Sequence, residues 1–227
     1  MKALYLWLDI ATLFFPLVLS FDKNVAYFRQ WKYVFTTGLI VAIPFLIWDY
    51  FFTYSGVWGF NPDYLIGFYV TNLPIEEVLF FVVVPFSCVF IYACVKVYFE
   101  KINFKNLNKL FYAFIISYIL FISIFGYHGA YAKYVIGTSL LTLLVIWQFR
   151  SRLHFLPVSF LISIIPFMLV NGVLTGGFTD EPIVWYDDQE RTPFRIFTIP
   201  AEDILYSFTL LGLNIAIYEW LQKIFKK

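Results

Sequence analysis

The feature that most constrains this chain is a succession of long apolar runs with almost no charge inside them. Seven segments stand out, at roughly 3–21, 33–53, 76–98, 109–126, 130–149, 156–174 and 200–221. Each approaches the ~20 apolar residues a helix needs to cross about 30 Å of hydrocarbon. In lipid every backbone N–H and C=O must be satisfied internally, which leaves helices or closed barrels. These runs are too long for barrel strands and lack two-residue alternation. The expected fold is therefore an all-α integral membrane protein with seven transmembrane helices. Composition agrees, with 61% hydrophobic and only 14% charged residues, against roughly 45–50% and 25% in soluble domains. The 29 Phe, 17 Tyr and 7 Trp exclude disorder. A net charge of +1 without a basic face argues against nucleic acid as a partner.

The first run resembles a secretion signal only superficially. It contains Asp9, has Lys2 as its sole basic end, and lacks a small-x-small cleavage site. Counted as helix 1, it gives seven spans and termini on opposite faces. Of the 16 Lys and Arg residues, 12 then fall on the C-terminal face; Lys2, Lys133, Arg191 and Arg195 fall on the other. Basic residues mark the cytoplasmic side. The expected topology is an N-terminus outside and a C-terminus in the cytoplasm of a multi-pass cell-membrane protein.

An internal repeat lies within this pattern. Pro74-Ile75-Glu76-Glu77-Val78-Leu79-Phe80 opens helix 3, and Pro200-Ala201-Glu202-Asp203-Ile204-Leu205-Tyr206 opens helix 7, an offset of 126 residues. The same offset carries Tyr92 onto Tyr218. Asp49 and Asn171 each sit near the end of the helix before the motif. The spacing predicts a first repeat at 1–105 (helices 1–3), a linking helix at 106–128 and a second repeat at 129–227 (helices 5–7). One connecting helix makes these two three-helix repeats parallel, related by an axis along the membrane normal. By analogy with other repeated membrane proteins, a site is expected between the halves.

Taken singly, Pro-x-Glu-Glu is an ordinary helix start: Pro suits the first helical position, and acids there complement the helix dipole. The doubling changes the weighing. Glu76, Glu77, Glu202 and Asp203 precede otherwise nearly charge-free helices, and ionisable groups near hydrocarbon usually mark function. Adjacent helical residues diverge by about 100°, so one carboxyl of each pair can face the bundle. Crowded carboxyls in a low dielectric retain protons and can supply both a general acid and a general base. These four are the candidate catalytic residues, with Asp49, Asn171, Pro74 and Pro200 in support. Trp58, Phe80 and Tyr206 are candidates for a substrate-binding wall. Trp185 and Tyr186 serve either as interface anchors or as further pocket lining.

Other features carry less. Asp9 is either polar glue between helices or part of the site. Glu219 reads as a solvated or paired group at the cytoplasmic end. The stretch 175–199, with seven charged residues, has acids enough for a divalent cation but lacks ordered ligand spacing; it reads as a solvated lid. His128 and His154 fall on opposite faces, and Cys88 and Cys94 form no CxxC. No metal site, flavin or nicotinamide motif is evident in the sequence.

The runs Trp58-Gly59-Phe60-Asn61 and Leu73 to Phe81 resemble the first half of the heterodimer-type lycopene cyclases. Asn171 to Gly176, Pro182 to Tyr186 and Ile199 to Asp203 resemble the second half, here fused in one chain. The resemblance spans essentially the whole sequence. It implies an enzyme that converts linear carotenoids to cyclic ones, lycopene to β-carotene through γ-carotene, as an isomerase with no net redox change. It implies lycopene or a related linear carotenoid as partner, the lipid bilayer as solvent, and other carotenoid-pathway enzymes as possible neighbours. A cyclase for another carotenoid end group shares the same motifs. A proton-coupled transporter would also use intramembrane acids. A retinal photoreceptor would need a Lys inside helix 7, where none precedes Lys223.

Overall fold

The computed structural model describes residues 2–126 and 128–225. Among them are seven α-helices: α1 (Leu4–Leu19), α2 (Trp31–Ser55), α3 (Ile75–Tyr98), α4 (Lys105–Phe125), α5 (Ala130–Phe149), α6 (Leu156–Leu174) and α7 (Asp203–Phe225). Six are long and apolar enough to cross a membrane; α1, with 16 residues, is shorter, about 24 Å. Their outward faces present Leu39, Ile43, Leu120, Leu144 and Leu169, all more than half exposed. A belt of this kind suits lipid, not water. Helices α2 and α4 begin earlier than the apolar runs, taking in Lys32 and Lys105. Long Lys stems extend an apolar surface while their heads stay wet.

Helices α3 and α7 form the centre. Helix α3 packs on α1, α2, α6 and α7, and α7 on α2, α3, α5 and α6. The arrangement interlocks: α2 crosses to α7, and α6 crosses to α3. Helix α4 lies against α5 and α6 and is tied to the start of α7 by a Tyr118 hydroxyl that donates to the Ala201 carbonyl at 3.0 Å. Both cysteines are free.

The all-α expectation misses short strands outside the helices. They pair antiparallel as β1 (Trp58–Phe60) with β4 (Val184–Tyr186), β2 (Tyr69–Val70) with β3 (Leu73–Pro74), and β5 (Arg195–Ile196) with β6 (Ile199–Pro200). Two or three residues are too few for alternation to register in a sequence. The last hairpin also delays α7 to Asp203, since Ile199 and Pro200 pair back on Ile196 and Arg195. The hairpins β2–β3 and β5–β6 turn through Thr71 (φ 60°) and Phe197 (φ 61°), again 126 residues apart. The β1–β4 pair joins the halves, with Gly59 opposite Trp185. A Cβ on Gly59 would lie 2.3 Å from the Trp185 ring, so only glycine admits that indole.

Candidate active site

Each acidic pair splits, one carboxyl turning into the bundle and the other toward a loop. Glu77 turns into the bundle from the first turn of α3. Its Oε2 accepts a hydrogen bond from the Tyr5 hydroxyl of α1 at 2.6 Å. Asp49, from α2, brings its carboxyl within hydrogen-bonding reach of Glu77. Asp49 Oδ1 also accepts from Trp58 Nε1 at 2.5 Å and from the Thr53 hydroxyl at 3.4 Å, whereas Oδ2 meets no donor. Two carboxyls can hydrogen-bond each other only with a proton between them.

Asp203 opens α7 and turns into the same space. Three donors hold it: the Tyr131 hydroxyl of α5 on Oδ1, and on Oδ2 the Asn171 amide at 2.6 Å and the Tyr186 hydroxyl at 3.2 Å. Burial, and next the Asp203 charge, push the Tyr186 phenol well above its ordinary range, so it stays a donor. Glu77 and Asp203 line one cavity of about 50 Å³ with Tyr5, Trp58, Tyr131, Asn171, Tyr186 and Tyr206. Phe80 closes it on the side of α3.

Glu76 and Glu202 face away from that cavity. Glu76 Oε1 accepts the Ile66 N–H at 2.7 Å, and Oε2 has no partner. Glu202 accepts the N–H of Thr192 and, at 3.2 Å, its hydroxyl. In both halves the acid therefore grips the backbone ten residues before it. Burial raises the Glu202 carboxyl above its usual range, and the Thr192 N–H opposes that. Pro74 lies in β3 and caps α3, and Pro200 lies in β6. Trp185 sits outside the cavity, partly exposed over Gly59. Asp9 is buried on α1 close to Glu76, with Oδ2 unpartnered.

The stretch 175–199 is more built than a solvated lid. Ile183 and Thr192 are fully buried, and β4 delivers Tyr186 to Asp203. Two of its acids tie it down: Asp188 pairs with Arg191 and, at 3.4 Å, Arg195, and Glu190 accepts the Ala130 N–H at 2.6 Å. The Arg191 hydrogen bond holds Asp188 below its ordinary carboxylate range. Among the described residues, no three His, Cys, Asp or Glu side chains gather as a metal-holding group. At the far end of the bundle Glu219 is paired, accepting from Lys96 and from the Tyr92 hydroxyl at 3.0 Å.

Sequence reasoning passed over Tyr5 and Tyr131, which donate to Glu77 and Asp203. They stand 126 residues apart, and the offset that links the acidic motifs would have found them.

Fold and site together define a helical membrane protein whose two halves enclose carboxyl groups in an aromatic cavity. A family model described as lycopene cyclase matches residues 2–95 and 130–221. The match covers most of the chain in two segments, and the chain belongs to the lycopene cyclase family. No curated protein and no solved structure matches it.

Proposed function

We propose that this protein cyclises the linear ends of lycopene to β-rings, giving β-carotene by way of γ-carotene, by proton transfer within the membrane. Membership in the family supports a carotenoid cyclase. The observation that carries the finer reading is the convergence of Glu77 and Asp203 on one aromatic cavity with unlike partners. Glu77 faces a second carboxyl, Asp49, and that pair holds a transferable proton. Asp203 faces three donors, Tyr131, Asn171 and Tyr186, an arrangement suited to accepting a proton.

In this reading Glu77 protonates C2 of the terminal double bond, leaving a tertiary cation at C1. The C5=C6 π pair closes the C1–C6 bond and moves the positive charge to C5. Asp203 takes the proton from C6, restoring a C5=C6 double bond inside the ring. One proton enters and one leaves, so the product is an isomer of the substrate. The faces of Trp58, Tyr131, Tyr186 and Tyr206 stabilise the passing cation, and a dry cavity keeps water from trapping it. Glu76 and Glu202 hold the loops that roof the site.

The repeat supports two parallel three-helix units, 1–105 and 129–227, joined by a linking helix at 106–128. The 12-to-4 basic asymmetry supports seven spans with the carboxylate end outside. The test is expression in a lycopene-accumulating bacterium followed by pigment extraction. Conversion to β-carotene is expected; unchanged lycopene despite verified membrane expression overturns the reading.

A further inference from the structure

A second cavity, of about 380 Å³, begins where the carboxylate cavity ends, and the two share Phe80, Phe167 and Asn171. It runs between α1 and α6 over the floor of α3 and α7. On α3 it extends from Phe80 to Ile91, and on α6 from Asn171 back to Phe160. Each stretch spans twelve residues, about 16 Å of helix. Its lining is almost wholly apolar. Phe15 and Leu169, on facing helices, line it and are 67% and 64% exposed, so it opens sideways to the surroundings of the bundle.

The other half treats the equivalent space differently. Helices α2 and α6 align at an offset of 122 residues, which pairs Pro44 with Pro166, Phe45 with Phe167 and Asp49 with Asn171. At that offset Trp48 corresponds to Val170. Trp48 is buried against Phe52, Trp58, Tyr131, Tyr134 and Tyr206, including a 5.8 Å stack on Tyr134. An indole fills the face between α2 and α5, whereas a valine leaves the face between α1 and α6 hollow.

We propose that the α1/α6 groove is the berth of the substrate's conjugated chain, entered sideways from the lipid, with one end group seated at Glu77 and Asp203. The inference rests on the cyclase reading and adds a direction to it. A rigid polyene has to leave the catalytic cavity in a straight line, and the groove is the continuous apolar path from that cavity. One molecule presents one end at a time. The second end reaches the carboxyls only after the half-cyclised product leaves and re-enters reversed.

The test uses two filling variants, Val170→Trp and Ser163→Phe, with Leu144→Trp on the outward face of α5 as a control of equal bulk. Val170→Trp copies the side chain carried at the matching position of the other half. Lycopene conversion by reconstituted protein is expected to fall at least roughly tenfold in both filling variants and stay unchanged in the control; misfits of a single methylene already cost pockets about 10–200-fold. Binding is read separately in Glu77→Gln protein in lipid nanodiscs. Added lycopene should raise its melting midpoint, and adding Ser163→Phe should abolish the rise without lowering the lycopene-free midpoint. Full conversion by both filling variants overturns the groove assignment and leaves the cyclase reading intact. A groove that holds only lipid chains would show no lycopene-dependent shift in either protein, which also overturns it. Absence of conversion by the unmodified protein overturns the cyclase reading, and the melting shift still reports on the groove.

Discussion

The sharpest consequence of the geometry is that neighbouring glutamates should behave unlike each other. Glu76 and Glu77 are adjacent, both buried, and both open the same helix. Glutamine at 76 keeps an oxygen to accept the Ile66 N–H, now 2.7 Å from Oε1. What it loses is the charge-assisted part of that bond, and its amide must sit where Oε2 has no partner. Together these cost about 1–3 kcal/mol of stability and leave the chemistry in place, so folded protein should keep its rate to within about tenfold. Glutamine at 77 likewise keeps an acceptor for Tyr5 but has no proton to give. General acid catalysis is worth about 10²–10⁴-fold, or about 3–5 kcal/mol of barrier. An alkene is a poor base that water does not protonate at neutral pH, so the upper end applies. The assay is initial rate of lycopene loss in proteoliposomes, by chromatography, normalised to folded protein. A well-folded Glu76→Gln protein without activity, beside an active Glu77→Gln protein, would refute the division of roles.

Three further outcomes follow from other contacts. Asp49→Asn keeps an acceptor for Trp58 Nε1 but ends proton sharing with Glu77, and should slow conversion by roughly 10–100-fold with little change in melting; an unchanged rate removes Asp49 from the proton path. Lys96→Met strands Glu219, whose side chain is only 6% exposed, and should cost about 1–3 kcal/mol, discounted because Lys96 itself is 34% exposed; detergent melting measures the loss, while the rate per folded enzyme should hold. Gly59→Ala drives a Cβ into the Trp185 ring and should part β1 from β4, costing about 1–3 kcal/mol and lowering activity by displacing Tyr186; an unaltered melting curve would show that the strand pair absorbs the methyl group.

Much of the scaffold was legible in the sequence, and for a physical reason. A helix in an apolar medium must be long and continuous, so α3, α5 and α6 begin and end within a residue or so of their apolar runs. The acidic motifs stood out for a related reason: a carboxyl is costly beside hydrocarbon, and four of them in matched places demand an explanation. The short strands were not legible, because β1 gains its partner β4 from more than a hundred residues away. Nor was the division of labour within each pair. Sequence shows that Glu76 and Glu77 point apart, but not which faces inward. That depends on where the loops ending at Ile66 and Thr192 offer their N–H groups. The sequence left Trp185 and Tyr186 alike as interface anchors or pocket lining; strand register separates them, setting Trp185 opposite Gly59 and bringing Tyr186 to Asp203.

The two halves keep one frame and differ where it matters. Tyr5 and Tyr131 donate alike to Glu77 and Asp203, and Glu76 and Glu202 grip their loops alike. Two adjacent positions near the ends of α2 and α6 differ in kind. At the second of them, Asp49 becomes Asn171. Glu77 has a carboxyl, Asp49, beside it, whereas Asp203 has an amide that donates to its Oδ2. Under the proposed cyclisation, that difference assigns the donor role to Glu77 and the acceptor role to Asp203. At the first position, Trp48 becomes Val170, and the packed face of one half becomes the hollow face of the other. A symmetric pair of sites would offer two entrances and two identical carboxyls. Under the same proposals, residues 48–49 against 170–171 give one lipid-side entrance and one direction of proton flow.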